Sequence, residues 1–300
     1  MVDSPVLFVG NSPNQVHGPG QSWSDLLASL RTSASMTLDE SAHELKPFPL
    51  HFEEIRNRYL AANPEQTDVD VVAKVTELFR GMMPNQIHTQ LMDLAFTEVV
   101  TTNYDDCLER ATGKVSIPAN FGIKERAYSL FRRVAIGSKH IWHVHGDVST
   151  PQSIVLGHDR YVESCAQMRR YMDLDGLKFA NMEPVKAAFK QSDSIDFSRV
   201  HSWIDLFLTR DVHFVGFGLD FTEVDIWYLL SYRARHHKTG SKWTSRLSNS
   251  RVFAHMFVDP SKQRDMQKIE VLKSFGVDVL EYSIAGSSYK EQWDKVLTAL

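Results

Sequence analysis

The chain has 300 residues, 43% hydrophobic and 23% charged, with a formal net charge of −4 at pH 7. That length holds one large domain or two modest ones, and the composition excludes wholesale disorder, collagen and coiled-coil fibres. The small acidic excess disfavours a uniformly basic nucleic-acid binder, and two cysteines without a CxxC pair exclude a disulfide scaffold and a four-cysteine zinc module.

In chain order, the opening MVDSPVLFVG lacks a basic n-region and a long apolar run, so it predicts a strand over residues 6–9 rather than a signal peptide. Trp23, Leu26, Leu27 and Leu30 then recur at helical spacing. Residues 36–94 keep helical periodicity without a strong strand. Further strands are expected at 96–101, 141–144, 212–217, 252–258 and 277–282. Helices are expected at 105–111, 198–209, 222–235, 262–275 and 288–299. A second helical stretch, more polar, covers 158–197.

Apolar strand runs alternating with helices imply βαβ units and a parallel sheet buried on both faces. The expected fold class is therefore α/β: a Rossmann-like, mostly parallel sheet with helices on both faces and inserted helical subdomains. Strand-forming segments reach from residue 6 to residue 282. This predicts one domain over 1–300, with its core at about 1–35, 95–157 and 198–300 and insertions at about 36–94 and 158–197. No apolar run approaches the ~20 residues needed to span a bilayer, so a soluble, cytoplasmic protein without membrane contact is expected.

Four constellations hold chemistry-bearing residues. Gly10-Asn11-Ser12-Pro13-Asn14 follows the first strand, where a small-residue loop lets backbone N–H groups approach a phosphate; an ordinary βα turn is the plainer reading. Thr101-Thr102-Asn103-Tyr104-Asp105 closes the second strand on the sheet's ligand edge, although Asn103 or Asp105 is equally suited to cap the next helix. His143 and His145 lie two apart in HVHGD, with Gly146 permitting a sharp exit. No third metal ligand is evident, and His143 reads as a satisfied strand histidine. Gly216 and Gly218 shape a turn ending in Asp220, which also suits a helix cap.

Taken in this order, the segments FVGNSPN, SWSDLLASL, TTNYD, WHVHGD, SIVLGHDRY, VGFGLD and the closing VLKSFGVDVLEY and YKEQWDKVLTAL resemble the sirtuin-like family. The resemblance is closer to its divergent bacterial branch than to the protein deacylases. The deacylases' cysteine pairs are missing, so the resemblance implies NAD as substrate and no zinc. It implies cleavage of NAD to nicotinamide and ADP-ribose, as the NAD-depleting effector of an antiviral, abortive-infection system.

The resemblance further implies Asn103 as holder of the ribose hydroxyls or the attacking water, and His145 as general base. Asp105 would orient Asn103 or support the developing positive charge. Gly10, Asn11, Ser12, Thr102, Tyr104, Gly216, Gly218 and Asp220 would contact the dinucleotide, with Asp259 facing the adenosine. Two other activities remain open. One is an NAD or ADP-ribose sensor without turnover, which has no need of both Asn103 and His145. The other is a protein deacylase, disfavoured by the missing cysteine pairs.

A domain of this kind calls for control in trans. The family context implies a homo-oligomer and a separately encoded ATPase or helicase partner of the HerA type. Residues 231–251 hold Arg233, Arg235, Lys238, Lys242, Arg246 and Arg251 and no acid. This stretch is expected to be a solvated loop, or else the contact with that partner or with nucleic acid.

Overall fold

Val6–Val9 (β1) is wholly buried, as an apolar run covered on both faces should be. In the computed structural model, which describes residues 4–17, 23–33, 46–120, 125, 129–172, 202–237, 250–284, 286 and 288–300, β1 lies at the middle of an eight-stranded sheet. It pairs in parallel with β2 (Glu98–Thr101) on one side. On the other side it pairs with the sixth strand, β6 (Val212–Val215). Outward from β2 comes β5 (Lys139–His143). Outward from β6 come β7 (Val252–Val258) and β8 (Asp278–Ser283).

The six parallel strands thus stand in the order β5-β2-β1-β6-β7-β8, the doubly wound arrangement of dinucleotide-binding folds. The winding reverses between β1 and β6, so the crevice beyond their carboxyl ends is the expected ligand position.

Side chains alternate across β1. Val6 and Phe8 join the core on one face with Phe207, Phe214 and Leu229. Leu7 and Val9 join the other with Leu91, Val99 and Trp293. Helices α7 (Trp203–Thr209) and α8 (Val224–His237) cover the first face. Helices α4 (Gln86–Asp93) and α10 (Tyr289–Ala299) cover the second. Ten helices occur among the described residues; the others include α5 (Cys107–Ala111) and α9 (Gln263–Ser274). None is long and apolar enough to cross a membrane.

A third core cluster joins α1 (Trp23–Ser33), α2 (Phe48–Ala62) and α3 (Asp68–Arg80) to Tyr104, Cys107 and Ile154. This helical layer stands beside the carboxyl edge of the sheet, with α6 (His158–Met172) in contact with α2. Of the stretches expected to be helical, 36–45 and 173–197 lie outside the described residues, as do 198–201 ahead of α7.

Two strands escaped the sequence reading. β3 (Ile117–Pro118) and β4 (Arg133–Ile136) extend the sheet antiparallel from β5. The β4–β5 turn is Gly137-Ser138, with Gly137 at φ +61°, a recognised hairpin signal. The fourth expected strand ends at Val215 rather than Phe217, because Gly216 turns the chain out of the sheet at φ +58°.

Candidate functional site

At the switch point the exits of β1 and β6 are joined. The Gly10 N–H donates to the Val215 carbonyl and the Ser12 N–H to the Gly216 carbonyl, both at 3.0 Å. A Cβ on Gly10 would lie 2.5 Å from both the Gly216 oxygen and the Phe217 Cα, so only glycine fits. This corrects one expectation: the Gly10 and Ser12 amides hold the two exits together and are not free to cradle a pyrophosphate. Gly218, by contrast, has open space where a Cβ would stand, which lets a ligand approach the backbone.

The β2 exit fixes Asn103. The Thr101 hydroxyl donates to the Val9 carbonyl at 2.9 Å and accepts from the Asn103 N–H at 3.0 Å. The Asn103 side-chain NH2 donates to the Gly10 carbonyl at 3.1 Å. A carbonyl partner can only accept, so the amide orientation follows from it. The carboxamide oxygen makes no hydrogen bond among the described residues, and Asn103 lines the cleft.

Beneath it, His143 holds the Asn103 backbone carbonyl through Nδ1 at 3.2 Å and Glu109 through Nε2 at 2.5 Å. Burial opposes charge on this ring, but Glu109's charge and hydrogen bond, with Asp147 and the Asn103 carbonyl, raise its pKa to about 9. His143 is therefore the satisfied histidine that the sequence suggested. As an imidazolium it donates from both nitrogens.

Asp105 takes the helix-start place that the sequence offered for it, not the one beside Asn103. One oxygen accepts from the Asn14 amide at 2.9 Å, the other from the Cys107 N–H at 3.0 Å. Asn14 in turn donates to Asn11 at 2.8 Å. Asp105 thus anchors the first loop and stabilises the start of α5. It does not line the cleft and makes no hydrogen bond to Asn103.

His145 has no solvent exposure, and its Nε2 lies 2.7 Å from the Asp225 carboxylate, equally buried. Its Nδ1 has no hydrogen-bond partner among the described residues. The ring packs edge-on to Tyr161 with centroids 5.3 Å apart. Tyr161 lines the cleft and His145 does not. Gly146 makes the sharp exit expected of it, at φ +86°, where a Cβ would strike the Ser153 carbonyl at 2.3 Å.

The cleft encloses about 1040 Å³, at the upper end of the range for small-molecule and cofactor sites. Of the residues anticipated from sequence, Gly10, Asn11, Ser12, Thr102 and Asn103 line one side. Gly216, Gly218 and Asp220 line the other. Asp220 also ends the turn as a cap, accepting from the Thr222 N–H at 3.0 Å and pairing with Arg264 at 2.6 Å.

Tyr104 is buried away from the cleft, its hydroxyl donating to the Val155 carbonyl at 2.6 Å. Asp259 does not line the cleft. It accepts from Ser261 in the turn after β7, as an ordinary strand end would.

The sequence reading missed Arg31, Tyr161 and Glu223 in the cleft wall and Asp225 behind it. Arg31 has a buried Nε without a hydrogen-bond partner among the described residues. Burial, reinforced by the charges of Asp225 and Asp220, raises the Glu223 carboxyl to about 8, so it is protonated at neutral pH. Among the described residues no group of three or more His, Cys, Asp or Glu is placed to hold a metal ion.

The basic stretch is only partly described, since 238–249 lie outside. Within it Arg233 is buried, donating to the Phe207 carbonyl at 2.6 Å and the Ser250 hydroxyl at 2.9 Å. Arg251 pairs with Asp278 at 2.9 Å. Arg233 is therefore a fastener between α7 and the start of β7, not part of a solvated basic surface.

A doubly wound sheet with a cleft at its switch point is the arrangement found in nucleotide-binding α/β proteins. Residues 97–279, more than half of the chain, match the SIR2-like domain family. The chain belongs to that family, whose members are NAD-dependent enzymes. No curated protein matches the chain closely enough to add a relative.

Proposed function

We propose that the protein is an NAD glycohydrolase, cleaving the bond between nicotinamide and ribose to give nicotinamide and ADP-ribose. The observation that supports this most is Asn103. Its carboxamide is fixed by the Gly10 carbonyl, with an unbonded oxygen at a dinucleotide-sized cleft. One water is consumed: its oxygen bonds to the ribose carbon as the bond to nicotinamide breaks, and a proton is released. Nicotinamide leaves as a neutral molecule from a cationic ring, so little acid catalysis is needed.

Cleavage passes through an oxocarbenium-like state. The site must therefore orient the ribose and provide a base for the water or a ribose hydroxyl. Asn103 orients. His145 is the base, and a positioned base contributes on the order of 10²–10⁴ in rate. Tyr161 packs against His145 and lines the cleft, so this ring links the base to the substrate site.

The same reading makes the protein the NAD-depleting effector of a bacterial antiviral system. It would act as a homo-oligomer with a separately encoded HerA-type ATPase or helicase. Chromatography of purified protein incubated with NAD tests the chemistry. Nicotinamide and ADP-ribose in equal amounts without added peptide support it. Unchanged NAD favours a sensor, and dependence on an acyl-peptide favours a deacylase. Light scattering tests the assembly: a fully active monomer at working concentration would contradict control by oligomerisation.

A further inference from the structure

The chain holds two histidines two residues apart, and their surroundings separate them chemically. His143 is satisfied at both nitrogens, by Glu109 and by the Asn103 carbonyl. Held as an imidazolium, it has no lone pair to offer. Among the described residues, His145 is satisfied at one nitrogen only. Its partner Asp225 comes from the first turn of α8, eighty residues further along the chain and beyond a different strand.

The Asp225 carboxylate determines which nitrogen holds the proton. One oxygen accepts from the Ile226 N–H at 2.9 Å and the other faces His145 Nε2 at 2.7 Å. A buried carboxylate without a donor is costly, and Nε2–H is the donor available to that second oxygen. A proton on Nδ1 would instead be a buried donor without an acceptor among the described residues, which is unfavourable. The neutral Nε2–H tautomer satisfies both constraints and leaves the lone pair on Nδ1. Both side chains are at 0% exposure, so packing also fixes the ring plane.

We propose that Asp225 is the positioning residue of the site. It holds His145 as the Nε2–H tautomer and thereby makes Nδ1 the basic atom for NAD hydrolysis. The role in turnover rests on the reading of the protein as a glycohydrolase; the tautomer stands on the geometry alone. Asp225 touches no substrate and acts through His145. In Asp225→Asn the shape survives but the charge is lost. The new amide can donate to Nε2 and drive the proton to Nδ1.

Two readouts on the full chain test this. In ¹⁵N-labelled wild type, long-range ¹H–¹⁵N spectra of the imidazoles, with His145 assigned by its loss in His145→Gln, are expected to show a protonated Nε2 and an unprotonated Nδ1 at pH 7–8. A Nδ1–H tautomer, or an imidazolium throughout that range, would overturn the proposal; the tautomer is read in the wild type, and the folded His145→Gln variant serves only to assign it. In folded Asp225→Asn the tautomer signature is expected to change. With it kcat is expected to fall ~10²–10⁴-fold while KM moves little. An unchanged signature with unchanged kcat would also overturn it. Absence of NAD turnover in wild type with the expected tautomer present would refute the glycohydrolase reading and confine Asp225 to orienting the ring.

Discussion

The ion pair beneath Asn103 makes a sharp prediction about stability and pH. His143 Nε2 stands 2.5 Å from Glu109, and its folded pKa is about 9 against an ordinary 6.5. A histidine raised in the folded state contributes stability that is fully present below about 6.5. That stability is lost as pH rises through about 9. A shift of this size corresponds to roughly 3 kcal/mol at acidic to neutral pH.

Glu109→Gln removes the charge that sustains the imidazolium. The variant is expected to be less stable than wild type by a few kcal/mol at pH 6. The difference should shrink towards pH 9.5, where wild-type His143 is neutral too. Urea unfolding at both pH values measures it. Glu125 and Glu223, raised to about 7 and about 8, titrate in the same region. The quantity to follow is therefore the wild-type-minus-variant difference at each pH. A difference that stays constant from pH 6 to 9.5 would refute the assignment of the raised pKa to Glu109.

Three further outcomes follow from single contacts. Gly10→Ala places a methyl group 2.5 Å from two backbone atoms of the β6 exit. It is expected to cost at least 1–3 kcal/mol, roughly, in thermal or urea unfolding; an unchanged midpoint would contradict the close approach of the strands. Arg31→Ala removes a guanidinium that lines the cleft with a buried, unbonded Nε. Dinucleotide binding is expected to weaken roughly 10–100-fold, the worth of a hydrogen bond to a charged group, and calorimetric affinities within twofold of wild type would contradict it. Glu223→Gln mimics the protonated acid expected below about 8. NAD affinity should match wild type at pH 6.5 and exceed it at pH 9, where wild type has gained a negative charge in the cleft. Identical pH profiles would contradict a raised carboxyl.

The parallel sheet was readable in the sequence because its central strands are buried on both faces. VLFV and VFAHMFV are apolar runs of a kind that few other structures require. The β3–β4 extension was not readable by that rule. Ile117 and Pro118 are exposed, and RVAI is mostly half-buried, so only the Gly137-Ser138 turn announced the hairpin.

Within the site, glycine exits and the TTN run were legible because backbone turns and strand ends are local features. Asp225 was not, since an acid in the first turn of a helix looks like dipole compensation. Its meaning depends on His145, eighty residues away. Asp105 shows the reverse: a motif acid whose helix-start geometry, with Asn14, proved its main engagement.

The most direct measurement of the central claim is NAD turnover by the purified full chain and by Asn103→Ala, followed by chromatography without acyl-peptide. Wild type is expected to release nicotinamide and ADP-ribose in equal amounts. Folded Asn103→Ala is expected to release neither above the uncatalysed background. Wild type that leaves NAD intact, alone and with its genomic neighbours, or an Asn103→Ala variant that turns it over at the wild-type rate, would contradict the assignment.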